Sequence, residues 1–186
     1  MKGRELMDAK ECIQGRRSIR RYTRQPIAKE TIERIVALAS YAPSWTNTQS
    51  ARYTVVTDRA VIEKIANECV LGFAHNAGIL LCCNVLVIQS VLVKRSGYER
   101  DGSFSTGKGT HWESFDAGIA AQTFCLAAHE FGVGTCILGV FDDAKVAEAI
   151  NLPSTQAVSA MISMGYPSEN PAAPARKSVG ELVRYI

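Results

Sequence analysis

The densest chemistry in this sequence is Arg16-Arg17-Ser18-Ile19-Arg20-Arg21, with four arginines in six residues. Guanidinium forks bind phosphate oxygens in pairs, and the Ser18 hydroxyl adds a donor, so the run makes a strong anion site. A solvated basic face is the plainer account of the same residues. A second group is Ala42-Pro43-Ser44-Trp45-Thr46-Asn47-Thr48-Gln49. Its uncharged donors and acceptors suit the edge of a heterocycle, although ordinary turn chemistry uses the same residue types. A third is Gly132-Val133-Gly134-Thr135-Cys136-Ile137-Leu138-Gly139. Its glycines would let backbone approach a flat ligand, or simply make a tight helix-to-strand turn. It is not a dinucleotide fingerprint, because Ile137 stands where the third glycine belongs.

Two further patterns carry less. Gly102 to Thr110 nearly spells a phosphate-binding loop, but Gly109 follows Lys108 where Ser or Thr is required, and no strand immediately precedes it. Arg176-Lys177 lies in a proline-bearing tail, where paired basic residues are usually solvated.

The elements that must position these groups are legible from periodicity. Glu5 to Gly15 reads as a short helix, and an amphipathic helix follows, with Ile32, Ile35, Val36, Leu38 and Ala39 on one face. Ala28 is a poor residue for its N-cap. Ala51 to Thr57 is strand-like, and Asp58 can cap a helix through about Glu68. Ile79 to Gln89 reads as a fully buried strand, followed by a long polar loop from Ser90 to Thr110. Trp112 to Phe131 reads as a helix apolar nearly all round, which implies burial on every side and a subunit interface. Val133 to Val140 and Thr155 to Met164 read as strands, with a helix from Asp142 to Ile150 between them. Tyr166 to Ile186 reads as an extended tail. The order predicts one α+β domain over residues 1–186, built as a three-layer α/β/α sandwich.

Bulk properties narrow the class. The 186 residues suffice for one domain with a real core, and 47% hydrophobic against 21% charged residues is globular composition. The net charge of +3 is too mild to argue for nucleic acid, and a nucleic-acid surface would need more basic residues interleaved with aromatics, so no such partner is expected. The longest apolar run, Ala77 to Ile88, is too short to span a bilayer, and the N-terminus has no apolar signal core. A cytoplasmic protein without membrane association is expected. The six cysteines form no CxxC pair and stand at no metal-ligand spacing from the histidines, so buried free thiols are the expectation and no metal site is assigned.

In this order, RRSIRRY, APSWTNTQ, GVGTCILG, the Gly165-Tyr166-Pro167 segment and the late Arg176 followed by Glu181-Leu182-Val183 resemble the nitroreductase family of FMN-dependent oxidoreductases. The resemblance spans about Ile13 to Tyr185 and departs from the family at Ser50-Ala51, where Pro-Trp is usual, and at the bulky Trp45. It implies a mainly antiparallel central sheet and an intertwined homodimer with two FMN sites at the interface, the tail from about 165 to 186 packing on the partner subunit. It implies that Arg16, Arg17 and Ser18 hold the phosphate and ribityl end, that Arg20 sits near the flavin N1 and O2 edge, and that Arg176, with Lys177 beside it, returns to the phosphate. Ser44, Trp45 and Asn47 would reach the flavin from the partner chain, the backbone at Leu138 and Gly139 would face N5, and Asn76 is the candidate from the segment 68–76. The implied reaction is ping-pong transfer from NADH or NADPH to a nitroaromatic, quinone or similar planar acceptor, the loop 90–110 with Phe104 and Trp112 shaping the pocket. Dehalogenation, ene reduction, flavin fragmentation, a flavin-binding module with little turnover and a flavin-free basic interaction protein stay open at this point.

Overall fold

The computed structural model describes residues 7–186. Its centre is a four-stranded sheet, β1 (Ala51–Val56), β2 (Val85–Leu92), β3 (Gly134–Leu138) and β4 (Gln156–Gly165), in the order β1-β2-β4-β3. Every neighbouring pair is antiparallel, with Thr54 opposite Ile88, Val87 opposite Ile162 and Ile137 opposite Ile162.

Side chains alternate across a strand, so β2 feeds two cores at once. Leu86 and Ile88 join Met161, Cys136 and Leu138 beneath α3 (Arg59–Glu68), α4 (Ala74–Cys82) and α6 (Asp143–Ala149). Val85 and Val87 join Ile162 and Met164 beneath α2 (Lys29–Ala39) and α5 (His111–Glu130). The result is the expected α/β/α sandwich. A short α1 (Ala9–Gly15) packs on α5.

Local signals account for most boundaries. Asp58 accepts from the Ala60 N–H at 2.8 Å and starts α3, while Asp142 does the same for α6 through the Lys145 N–H at 3.1 Å. Ala28 makes no side-chain cap on α2, as its type dictates. The α5 helix ends in a left-handed turn at Gly132 (φ 72°), with Val133 N–H to Ala128 O at 2.9 Å and Gly132 N–H to His129 O at 2.8 Å.

Several expectations need correction. The run Ile79–Gln89 is not one strand: Ile79–Cys82 belong to α4, and β2 starts only at Val85. A short apolar run does not distinguish a buried helix from a buried strand, and here Ile79 and Leu80 pack as a helix against the same core as α3. The polar loop accordingly starts late, because Ser90 to Leu92 remain in β2 after an irregularity at Gln89/Ser90. Leu38 is exposed rather than on the core face of α2, since it lies roughly 100° around the helix from the buried stripe Ile32, Ile35 and Ala39. The α5 helix has no distinct polar face, as expected, but a single chain does not bury every side of it: Phe115 is 55% exposed while Ala117, Ala121 and Phe124 are buried. The tail is extended except for α7 (Val179–Leu182), which Ser178 and Glu181 start with a reciprocal capping box. The α1 helix begins at Ala9, capped by Asp8, and Glu5 lies outside the described residues.

Candidate functional site: an arginine-lined cavity and a strained turn

The arginine run is held in place by its two apolar members. Ile19 and Tyr22 are buried in the core beneath α3 and α4, which turns Arg16, Arg17, Ser18 and Arg20 outward. Backbone bonds lock both ends. Ser18 bridges to Thr135, with the Ile19 N–H on Thr135 O at 2.9 Å, and Tyr22 bridges to Pro167, with the Thr23 N–H on Tyr166 O at 2.8 Å. The Tyr22 hydroxyl bonds to Ile19 O and Ser163, and burial pushes its pKa well up. Two glycines make this docking possible. A Cβ on Gly134 would meet Ile19 Cγ1 at 2.7 Å, and one on Gly165 would meet the Tyr22 ring at 2.6 Å. The Gly134 gap is therefore filled by Ile19 and not by a ligand, so at this one glycine of GVGTCILG the close approach serves packing.

Arg16, Arg17, Ser18 and Arg20 share a cavity of about 360 Å³ with Arg176, which the tail brings back across Pro171 to Pro174. Lys177 does not line it. Neither ion pair seen among the described residues, Lys29–Glu33 at 3.5 Å and Arg59–Glu63 at 2.9 Å, uses an arginine of this cluster. The Glu169 carboxylate, close by, instead accepts the backbone N–H groups of Arg20 (2.6 Å) and Arg21 (3.2 Å). Arg17 donates to the Gln14 and Arg16 carbonyls, and Arg176 to those of Pro174 and Ala175. Arg16 Nε is buried with no hydrogen-bond partner among the described residues. An unsatisfied buried guanidinium nitrogen, among cations without paired carboxylates, is the donor set of an anion site.

The turn residues stand elsewhere in the chain's fold. Ser44 lines a separate cavity of about 550 Å³ together with Ser50, Arg52, Tyr53 and Asp116. Trp45 to Asn47 form a 3-10 turn, and Thr46 (φ 42°), Asn47 (φ 58°) and Gln49 (φ 47°) all occupy the left-handed region. For a β-branched residue such as Thr46 that conformation is costly, and such strain concentrates at functional sites. The Trp45 ring lies 4.6 Å from that of Trp112, which in turn donates to Thr106 Oγ1 at 2.8 Å and carries Lys108 over its face at 4.6 Å. The loop after β2 is thus tied to the start of α5. At the end of β3, Leu138 is buried in the core, so only its backbone can meet a ligand, whereas Gly139 is exposed with open space above it. Asn76 is buried and spends its amide on Val140 O at 3.2 Å, a structural task that pins the chain after Gly139.

Sequence reasoning missed Asp116, Ser50 and Ser96, which are buried and form one hydroxyl–carboxylate network beside the turn. Asp116 had a legible signal, an acid in an otherwise apolar helix segment. Ser96, inside a polar loop, had none.

Comparison with known proteins bears on the family of the chain. The model of the Nitroreductase family matches residues 13–166. A candidate NADH dehydrogenase/NAD(P)H nitroreductase of Methanothermobacter thermautotrophicus is 31% identical over 172 residues, covering 89% of this chain and 80% of that one. A nitroreductase of Desulfovibrio desulfuricans, crystallised in complex with FMN, superposes with a TM-score of 0.77 at 26% identity over 95% of each chain. The NADPH:FMN oxidoreductase of Vibrio harveyi, complexed with NAD+, gives a TM-score of 0.79 at 26% identity, over 94% of this chain and 75% of that one. With its sheet order, its docked arginine segment and these relatives, the chain belongs to the nitroreductase family.

Proposed function

We propose that the chain is an FMN-dependent oxidoreductase that takes electrons from NADH or NADPH and delivers them to nitroaromatic, quinone or similar planar organic acceptors. The observation that carries this reading is the convergence of Arg16, Arg17, Ser18, Arg20 and Arg176 on one cavity, with a buried Arg16 nitrogen left unsatisfied. A flavin mononucleotide brings the phosphate such a set requires.

In this reading Arg16, Arg17, Ser18 and Arg176 hold the phosphate and ribityl end, with Lys177 as a nearby countercharge. Arg20 offers a cation to the N1 and O2 edge, where negative charge is stabilised. The exposed backbone at Gly139, following Leu138, leaves room for the reactive edge of the ring. Ser44, Trp45 and Asn47 contribute from a partner chain, since within one chain they line or flank a different cavity from the arginines. FMN, when bound, supplies the two-electron chemistry between nicotinamide and acceptor, while the protein binds, orients and tunes it. Donor and acceptor use one pocket in turn, which makes the kinetics ping-pong.

The homodimer is supported by surface that a single chain leaves open. Phe115 on α5 and Val179, Leu182 and Tyr185 in the tail are all exposed. A tail from about 165 to 186 packed on a partner subunit would cover the last three. No described helix is long and apolar enough to cross a membrane, and all six cysteines are free thiols, as suits a reducing cytoplasm.

The test is the visible spectrum of the purified protein, release and identification of the chromophore, and an anaerobic acceptor screen with NADH and NADPH. Flavin bands with FMN released, and oxidation of the nicotinamide by planar acceptors, are expected. Protein that stays colourless after incubation with FMN overturns the reading.

A further inference from the structure

We propose that Asp116 is a positioning residue that sets the strained turn Ser44–Gln49 in the form in which it meets the flavin. This rests on the reading above, that the turn carries flavin contacts. Asp116 lies in the second turn of α5 and is only 4% exposed. Its Oδ2 accepts the Trp45 backbone N–H at 2.9 Å and the Ser96 hydroxyl at 2.6 Å. The shorter distance is that of a hydroxyl on a carboxylate.

The direction of the remaining bonds follows from proton bookkeeping. A carboxylate only accepts, so the single Ser96 proton goes to Asp116. Thr48 Oγ1 at 3.1 Å and Ser50 Oγ at 3.3 Å must then donate to Ser96 Oγ. One carboxylate therefore holds the entry of the turn directly, through Trp45, and its exit through Ser96. Two further bonds complete the frame: the Gln49 N–H on Ser44 Oγ at 2.9 Å within the segment, and Arg52 of β1 on Gln49 O at 2.8 Å.

Packing alone does not account for an acid here. A buried carboxylate costs desolvation that an apolar side chain avoids, and the residues directly around it, Phe115, Ala117, Gly118 and Ile119, carry no polar side chain. What the carboxylate holds is a segment with three left-handed residues, Thr46, Asn47 and Gln49. A strained conformation persists only where its surroundings over-determine it. Asp116 with Ser96 does so across a sequence separation of 71 residues to Trp45. The Ser44 and Asn47 side chains ride on that frame.

The test reads both the turn and the flavin. Trp45 and Trp112 are the chain's two tryptophans and form a ring pair at 4.6 Å, so intrinsic emission of the flavin-free protein reports on the turn. FMN titrations on folded D116A, D116N, S96A and N47A measure the consequence. D116A is expected to change the emission and to weaken FMN binding by about tenfold or more, the worth of one hydrogen bond to a charged acceptor. D116N keeps a carbonyl oxygen for the Trp45 N–H and is expected to recover much of the affinity. Wild-type emission and affinity in D116A overturn the proposal. Weakened binding in N47A beside wild-type affinity in D116A overturns it while sparing the turn's flavin role. Unchanged affinity in both removes that role and the positioning with it. If D116A fails to fold, D116N and S96A decide: wild-type emission and affinity in both overturn the proposal, and a change in both readouts in either supports it.

Discussion

Replacing Gly134 with alanine should strike the site from behind. The added Cβ would stand 2.7 Å from Ile19 Cγ1, 2.8 Å from Ile19 Cβ and 3.0 Å from Ile19 Cγ2. Carbon atoms rest at about 3.5–4.0 Å, so Ile19 or the start of β3 must shift by roughly 0.5–1 Å. Ile19 is buried and its N–H is bonded to Thr135 O, so neither side yields freely. Overpacking of this kind costs about 1–3 kcal/mol, which lowers the melting temperature of a domain this size by about 2–12 °C. The displaced segment carries Arg16, Arg17, Ser18 and Arg20, so FMN binding should weaken too. Ile19→Ala in the same chain removes Cγ1 and Cγ2 but keeps Cβ, so the double variant should be more stable than the sum of the two single effects, by about 1 kcal/mol. Gly139→Ala is the contrast. Nothing lies within 4 Å of where its new methyl carbon would stand, so flavin-free stability should stay within about 0.5 kcal/mol of wild type, while flavin binding suffers. Thermal melts and FMN titrations on the four variants decide the matter. A Gly134→Ala protein that melts and binds like wild type refutes the close docking of Ile19 and the account of how the arginines are held.

Two further outcomes are expected. Arg16→Met should weaken FMN binding about 10–150-fold, the worth of a charged hydrogen bond of about 1.5–3 kcal/mol. Arg176→Met should do less, because that side chain is exposed and bonded to Pro174 and Ala175 carbonyls; the reverse order in fluorescence titrations would reject the assignment of Arg16 as the principal anion donor. Stability should fall in alkali. Burial pushes the Cys83 thiol from 9.0 up to about 12 and raises Cys125 and Cys136 as well. The native state then keeps protons that the unfolded chain releases, so the contribution is full below about pH 9 and is lost as pH rises toward 12. The slope is about 1.4 kcal/mol per pH unit for each group lying between its two pKa values. Urea midpoints at about pH 7.5, 9 and 10.5 follow it, and a flat profile contradicts burial of these thiols.

How much was readable beforehand depended on the range of the signal. The Asp58 cap, the strand from Ala51, the helix up to Gly132 and the chemistry of Arg16 to Arg21 are visible in the sequence, because caps, periodicity and charge clustering act within a few residues. The family resemblance rests on the same kind of ordered local motifs. The break of the apolar run into α4 and β2 was not readable, because both states bury the same side chains and only the packing partner differs. Leu38 misled for a related reason, since its hydrophobicity says nothing of its angle to a core not yet placed.

The site followed the same division. The sequence alone determined that an arginine cluster capable of binding phosphate exists, and that a polar turn precedes β1. Only the tertiary structure brought Arg176 onto Arg16 to Arg20, filled the Gly134 gap with Ile19, and set Asp116 beneath Trp45. These contacts join residues distant along the chain. Their free energy comes from burial and hydrogen bonding against neighbours that local propensity does not specify, so they arise only when the whole sheet and both helical layers close together.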